Sequence, residues 1–327
     1  MYISDKESFS DVCHASAAMQ ALVRQLERLA DSACQTVLLT GATGTGKEVL
    51  ARQFHRRRCE SGPFLAVNCA ALTGSLLESE LFGHVRGSFT GADRDKTGLF
   101  EAAGDGVILL DEISEMPLDL QGRLLRALQE RHVRRVGGLE ELPFHATVVA
   151  TSNRDLLAQS QQGKFRSDLY YRLAIMPIHV PALAGPQRRA DVCPLAMHFL
   201  AHSRVMPEHR ITGFTPQAQA RLLLHTWPGN VRELRNVVDR AVLLETSDVI
   251  TGESIVFDGE APHAHALSDE AANDCSLATA EKKLILRVLE STGGHRARSA
   301  ALLGISRATL CAKLKQYAET MVQACVA

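Results

Sequence analysis

Apolar positions alternate between two periods along the first half of the chain and settle into one afterwards. Residues 16–33 space Met19, Leu22, Leu26 and Leu29 along one face of a helix. The run QTVLLTG follows, short, β-branched and ended by glycine. Four more apolar runs, FLAVNC (64–69), GVILLDE (106–112), HATVVATSN (145–153) and AIMPIHV (174–180), read as strands buried on both faces. Helix-period stretches such as PLDLQGRLLRALQE (117–130) lie between them. Such alternation predicts an α/β fold with a parallel, doubly covered sheet. After PALAGP (181–186) the pattern is helical throughout, in DVCPLAMHFLAHSRV, TPQAQARLLLHT and GNVRELRNVVDRAVLLE, and Asn230 is expected to cap the last helix.

Composition changes the picture chiefly by exclusion. A chain of 327 residues with 46% hydrophobic and 22% charged residues is globular and divides into two domains and a small third. Aromatic residues, at 5%, argue against a β-sandwich or a carbohydrate-binding surface. No apolar run approaches the roughly 20 residues that span a bilayer, and the start, MYISDKESFSDVCHAS, lacks a secretion signal, so a cytoplasmic location is expected. Eight cysteines without a CxxC pair read as reduced, buried thiols.

The net charge of −1 conceals an uneven distribution. Residues 247–275 carry seven acidic residues and neither Lys nor Arg, the mark of a solvated linker. Residues 276–327 carry eight Lys/Arg against three Asp/Glu. In that tail, Leu284, Val288 and Leu289 mark a helix stopped at Gly293-Gly294, and ARSAALLG with GISRATLCAKLKQY reads as helix, turn at Gly304, helix. Ala300 and Ala301 permit close helix crossing, while Arg307, Thr309, Lys313 and Lys315 stay solvent-facing and suit a major groove. A basic hairpin for protein contact is the alternative. The expected division is a helical flank at 1–30, an α/β core at 31–180, a helical subdomain at 181–246, an acidic linker at 247–275 and a helix-turn-helix domain at 276–327.

The strongest chemical motif is GATGTGK, comprising Gly41, Ala42, Thr43, Gly44, Thr45, Gly46 and Lys47. It fits G-x-x-x-x-G-K and lies between an expected strand and an expected helix, a context suited to holding a polyphosphate on backbone N–H groups and a helix N-terminus. Lys47 would meet the β- and γ-phosphates, whereas Glu48 stands where Ser or Thr usually contacts magnesium. GVILLDE delivers Asp111 and Glu112 at a strand end, one suited to Mg²⁺ and the other to polarising water, or both merely capping the next helix. Ser152 and Asn153 end another strand, where a γ-phosphate sensor would sit. Arg166 and Arg172 could stabilise transition-state charge in a neighbouring subunit, or be ordinary surface residues.

Taken together, these residues resemble one family, the AAA+ activators of sigma-54 RNA polymerase, or bacterial enhancer-binding proteins of the NtrC class. The resemblance runs from about residue 12 to about 317, and ESELFGHVRGSFTGADRDKTGLFEAA (78–103) is its most specific segment. Gly87, Ser88, Phe89, Thr90, Gly91 and Ala92 are similar to the family's GAFTGA loop, which implies a contact with sigma-54; Ser88 replaces the usual Ala. Two glycines bracket Phe89 and Thr90, expected between helical flanks. Other roles implied by the resemblance are a switch pairing of Asn68 with Glu112, a sensor at Asn153, arginine fingers at Arg166 and Arg172, and a second sensor at Arg232 in WPGNVREL. RHVRRVGG (131–138) resembles a loop that supports the first, and PALAGPQRRADV departs from the usual PPLRER.

Under the resemblance, the tail is a Fis-type helix-turn-helix binding enhancer DNA through Arg296, Arg298, Ser306, Arg307, Thr309, Lys313 and Lys315, with Ala312 and Cys311 departing from common family residues. It further implies ATP and Mg²⁺ as cofactors, a hexameric ring that is dimeric at rest, and remodelling of the sigma-54 RNA polymerase holoenzyme. Only about 30 residues precede the phosphate-loop strand, so control by expression level or a separate regulatory protein is expected. Other readings are a DNA-binding repressor on a degenerate AAA+ scaffold and a replication or recombination ATPase.

Overall fold

The computed structural model describes residues 15–206 and 211–258, and in the C-terminal stretch residues 285, 295–302, 307, 309–310 and 313–314. Two units divide the chain, 1–261 and 262–327. Helix α1 (Ala17–Ala30) begins where the Ser16 hydroxyl accepts the Met19 N–H, supplying one of the orphan donors of a helix start. It is followed by β1 (Thr36–Thr40), α2 (Lys47–Cys59), β2 (Phe64–Asn68) and α3 (Gly74–Phe82). A short antiparallel ribbon, β3 (Gly83–His84) with β4 (Lys96–Thr97), leads through α4 (Leu99–Ala102) to β5 (Val107–Asp111). Helix α5 (Leu118–Glu130) precedes a second ribbon, β6 (His132–Arg134) with β7 (Glu141–Pro143). Then come β8 (Thr147–Ser152), α6 (Leu156–Gln161), α7 (Ser167–Leu173) and β9 (Pro177–His179).

Five strands form one parallel sheet in the order β2-β5-β8-β1-β9. Successive side chains of a strand point to opposite faces, so the two faces draw on different residues. Leu38, Ile108, Leu110, Val148 and Ala150 pack under Leu120, Leu124 and Leu128 of α5 and Leu169 of α7. Val37, Leu39, Val107, Leu109 and Val149 pack under Met19 and Leu26 of α1 and Leu50 and Phe54 of α2. Fully burying each such side chain stabilises the fold by roughly 1.5–3 kcal/mol. Residues 17–30 are therefore part of the sheet's cover, not a flank. The three central strands are buried on both faces, as expected. The outer strands β2 and β9 are only partly covered, since each is an edge with a neighbour on one side alone.

The helical subdomain comprises α8 (Val192–Ala201), α9 (Pro216–Leu224) and α10 (Asn230–Leu244), with β10 (Gly213–Phe214) pairing β11 (Val249–Ile250). Its core includes Trp227, Leu234, Val238, Ile250, Ile255 and Phe257. It thus extends past residue 246, and the first third of the expected linker is packed structure. The acidic character of 247–258 misleads because the apolar Ile250, Ile255 and Phe257 are the residues that bury. Within the C-terminal unit, α11 (Arg296–Leu302) contributes Ala300 to a small cluster with Ile285 and Leu310, against which Leu314 packs.

Candidate functional site

Strand β1 ends at Thr40 in the middle of the sheet, and the chain turns at once through residues 41–46 into α2. Glycine is required at Gly41, where the backbone has φ +146° and a Cβ would stand 2.5 Å from the Val180 carbonyl oxygen. Lys47, the first residue of α2, is buried and its ammonium donates to the carbonyls of Gly41 at 2.7 Å and Ala42 at 3.0 Å. The Thr45 hydroxyl also donates to the Ala42 carbonyl, at 2.9 Å.

Asp111 and Glu112 arrive on β5, two strands away in the sheet. Asp111 accepts from the Thr151 hydroxyl at 2.5 Å, and that same oxygen accepts the Glu112 N–H at 3.1 Å. Thr151 thereby fixes both acidic positions from β8. Glu112 adopts a left-handed backbone, φ 53°, which is uncommon for a residue with a side chain and marks a position held by its surroundings. Burial lowers the Lys47 ammonium below its ordinary value, with Arg232 adding to the effect, while Asp111 and Glu112 pull it back up. The three charged groups and the arginine therefore share one electrostatic site. Burial together with the same two carboxylates pushes the neighbouring Cys69 thiol up to about 12.

Asn68 ends β2 and donates to Asp111 at 3.3 Å, while its Oδ1 accepts the Ala70 N–H. The expected pairing was with Glu112; β2 and β5 are in register at Asn68 and Asp111, and Asp111 takes the bond in this structure. Asn153, at the end of β8, donates to the Thr43 hydroxyl of the phosphate loop at 3.2 Å. The Ser152 side chain is fully buried and its hydroxyl donates to the Arg154 carbonyl, while its own carbonyl accepts the Gly41 N–H at 3.1 Å. Glu48 is exposed and paired with Arg52 at 2.8 Å one helical turn on, which turns it from the loop. Arg166 is exposed and paired with Asp168, whereas Arg172 is half-buried and donates to the Leu128 carbonyl at 2.7 Å.

The GSFTGA segment is carried on the β3–β4 ribbon and not between helices, because the chain leaving α3 pairs with residues 96–97 before α4 begins. Gly87 donates to the Ala92 carbonyl at 2.9 Å and Ala92 to the Phe89 carbonyl at 3.0 Å, closing a compact turn. Phe89 is 41% exposed with its ring edge-on to His84 at 5.0 Å, and His84 is in turn bonded to Ser79 at 2.8 Å. Gly87, Phe89, Thr90 and Gly91 are exposed, Ser88 is half-buried and Ala92 is buried, so all of the string but its last residue reaches the surface. Residues 131–138 do brace it: Val85 donates to Val136, Val136 to Gly83, and Gly137 lies against Ser88 so closely that a Cβ would sit 2.7 Å from the serine's.

Of the described cysteines only Cys69 is buried; Cys34, Cys59 and Cys193 are free and half-buried. In the C-terminal unit Arg296, Arg298, Arg307 and Thr309 are exposed and Lys313 is half-buried. Ser306 and Lys315, with most of the expected first helix, lie outside the described residues.

Residues 12–179 match the family model for the sigma-54 interaction domain, residues 186–270 that for an AAA+ ATPase lid domain, and residues 276–317 that for the bacterial regulatory protein, Fis family. The chain belongs to the sigma-54 interaction domain family. It is similar to the regulatory protein AtoC of Escherichia coli (strain K12), 43% identical over 309 residues that cover 92% of this chain and 66% of AtoC. The transcriptional regulatory protein ZraR of the same strain is 44% identical over 306 residues, 92% of this chain and 67% of ZraR. The chain spans about two thirds of the length of these curated relatives. Among solved structures, NtrX from Brucella abortus in complex with ATP aligns with a TM-score of 0.67 at 32% identity, covering 96% of this chain and 71% of NtrX.

Within this AAA+ family member, the helical subdomain is the lid, and three features of its site are not carried by motif spacing. Thr151 is one; its place in the alternation of β8, beside buried neighbours, is the signal that could have found it. The second is a buried network in which Asp191 accepts both the Ser16 N–H at 2.6 Å and the Ser16 hydroxyl at 2.7 Å, beside Arg188. The third is Asn230. It is the first residue of α10 and not its cap; Gly229 holds the cap position, and its N–H donates to Glu233 at 2.7 Å. Asn230 faces the core domain.

Proposed function

We propose that this chain is a sigma-54-dependent transcription activator that binds enhancer DNA through its C-terminal unit and uses ATP hydrolysis to convert a closed promoter complex to an open one. The observation that carries this reading is one scaffold holding both ends of such a device: Lys47, Asp111 and Glu112 gather beyond the C-terminal ends of the inner strands β1 and β5, and an exposed Phe89-Thr90 turn stands on the β3–β4 ribbon. The amides of residues 42–47 and Lys47 hold the triphosphate at the N-terminus of α2. Glu112 accepts the proton of the attacking water, positioned by its strained backbone and by Thr151. Asn153 reads the γ-phosphate from the far side of the loop.

Asp111 would hold Mg²⁺, which supplies neutralisation of phosphate charge. The residues fit that ion: the site offers one oriented carboxylate and Glu48 is turned away, and Mg²⁺ commonly keeps several waters and takes one or two protein carboxylates with the phosphates. Subunits assemble as a ring, hexameric when active and dimeric at rest, in which Arg166 and Arg172 serve the neighbour's nucleotide. The turn at residues 87–92 engages sigma-54, and Arg296, Arg298, Ser306, Arg307, Thr309, Lys313 and Lys315 form the DNA-contacting set, working in the cytoplasm with RNA polymerase. The deciding experiment follows promoter melting on a sigma-54 promoter with ATP and with a non-hydrolysable analogue. Melting with ATP alone is expected; equal melting with the analogue would overturn the mechanism.

A further inference from the structure

Five consecutive carbonyls of the phosphate loop are gripped from within the chain. Those of Gly41 and Ala42 are taken by Lys47. The next three are all taken by the lid and the segment leading into it. Asn230 Nδ2 donates to the Thr43 carbonyl at 3.0 Å, the Val231 N–H to the Gly44 carbonyl at 2.9 Å, and Arg188 to the Thr45 carbonyl at 2.9 Å. Contact at the middle of this row is tight. Gly44 has φ +77°, and a Cβ on it would lie 2.4 Å from the Gly229 carbonyl oxygen.

A trans peptide plane directs its C=O and the following N–H in opposite directions. Gripping the oxygens of Thr43, Gly44 and Thr45 from outside therefore aims the amides of Gly44, Thr45 and Gly46 inward. We propose that the lid forms the outer wall of the phosphate loop, with Asn230 and Arg188 as positioning residues whose side-chain donors set the affinity for a nucleoside triphosphate. The proposal rests on the loop being the triphosphate site.

Both residues are built for this task. Asn230 is 3% exposed and left-handed, φ 54°, a conformation asparagine tolerates better than most residues. Its Oδ1 accepts the Leu183 N–H at 2.9 Å, so one amide joins the loop, the lid and the chain entering the lid. Arg188 is 4% exposed and also donates to the Pro181 carbonyl at 3.0 Å, with Asp191 beside it. Loss of either donor leaves a loop carbonyl without its partner in the chain and frees its peptide plane to rotate, at the greater cost for the buried Thr45 bond. By linkage, triphosphate that fixes those planes must tighten the lid's grip in return.

The test is direct binding of ATP carrying a fluorescent ribose label to the full chain, alongside steady-state ATPase kinetics. Asn230→Asp keeps the acceptor for Leu183 and tolerance of the left-handed backbone but lacks the donor to Thr43. It is expected to bind about tenfold more weakly and to raise KM for ATP in step, with a smaller fall in kcat. Exchange of the Val231 and Arg232 amides should slow on adding the labelled ATP in the parent and less so in Asn230→Asp. Should that variant fail to fold, Arg188→Lys takes its place, since it keeps a positive charge near Asp191 but its side chain ends one atom short of the Nη1 that reaches Thr45 and Pro181; the same loss is expected. A folded Asn230→Asp or Arg188→Lys that binds like the parent, while Lys47→Ala abolishes binding, overturns the lid's role. If Lys47→Ala also binds like the parent, the triphosphate reading itself falls and the proposal with it.

Discussion

Glu112 stands in a left-handed backbone conformation at the end of a buried strand, with its N–H on Thr151. Removing its charge without altering its shape separates holding a nucleotide from cleaving it. Glu112→Gln is therefore expected to keep ATP affinity within about twofold and to lower turnover by roughly 10²–10⁴-fold, the range a general base supplies. Turnover near the parent value would remove Glu112 from the mechanism. Motif spacing exposes Lys47, Asp111 and Glu112 because the residues proposed to serve the triphosphate are consecutive or end a strand. It does not expose Thr151, Arg188 or Asn230, whose partners lie 40, 143 and 187 residues away in sequence. Nor does it show the bond from Asn68 to Asp111, which follows from the register of β2 and β5.

At the level of elements, the central strands and long helices are legible from period alone, while edges and short ribbons are not. A two-residue strand such as β3 has no periodicity to detect, and so the GSFTGA turn reads as if set between helices. Standing on a ribbon, Thr90 is exposed and lies on none of the elements that carry Lys47, Asp111 and Glu112. Thr90→Ala should hydrolyse ATP at close to the parent rate yet lose sigma-54 binding in a pull-down; retained binding would relocate the contact. The lid offers a second case. Burial works to raise the Glu245 carboxyl, but donors from the Thr251 backbone, Ser254 and Ser247 outweigh it and hold the group at about 2, below the ordinary 4.5. A depressed carboxyl stabilises the folded state above its unfolded value, and that contribution disappears as pH falls from about 4.5 toward about 2. Across that window the parent should lose stability to urea more steeply than Glu245→Gln; parallel slopes would show that the cluster contributes nothing.

For the whole molecule, the proposed ring is tested through two arginines. Arg166 pairs with Asp168 on the surface and Arg172 bonds to Leu128, and neither contacts its own phosphate loop in these bonds. If they act on a neighbour, specific ATPase activity must climb with protein concentration and then level off as rings complete. Activity per subunit that stays constant on dilution would count against service in trans. Charge asymmetry along the sequence sets a basic tail apart at residue 276, and the compact units divide between 261 and 262, inside the expected linker. That linker is expected to start at 247, yet Ile250, Ile255 and Phe257 within it are buried in the lid core. The ion pair between Arg240 and Asp258, at 2.7 Å, shows acidic residues of that stretch working as part of the lid.

The row of lid donors along residues 43–45 bears on how small a working version of this protein can be made. Trimming the chain after β9 would spare the whole sheet, Lys47 and both acids, and would look like a minimal nucleotide binder. It would nonetheless strip three successive main-chain oxygens of their donors at the one turn where amide direction matters. A fragment ending there should fold as a sheet and grip triphosphate poorly.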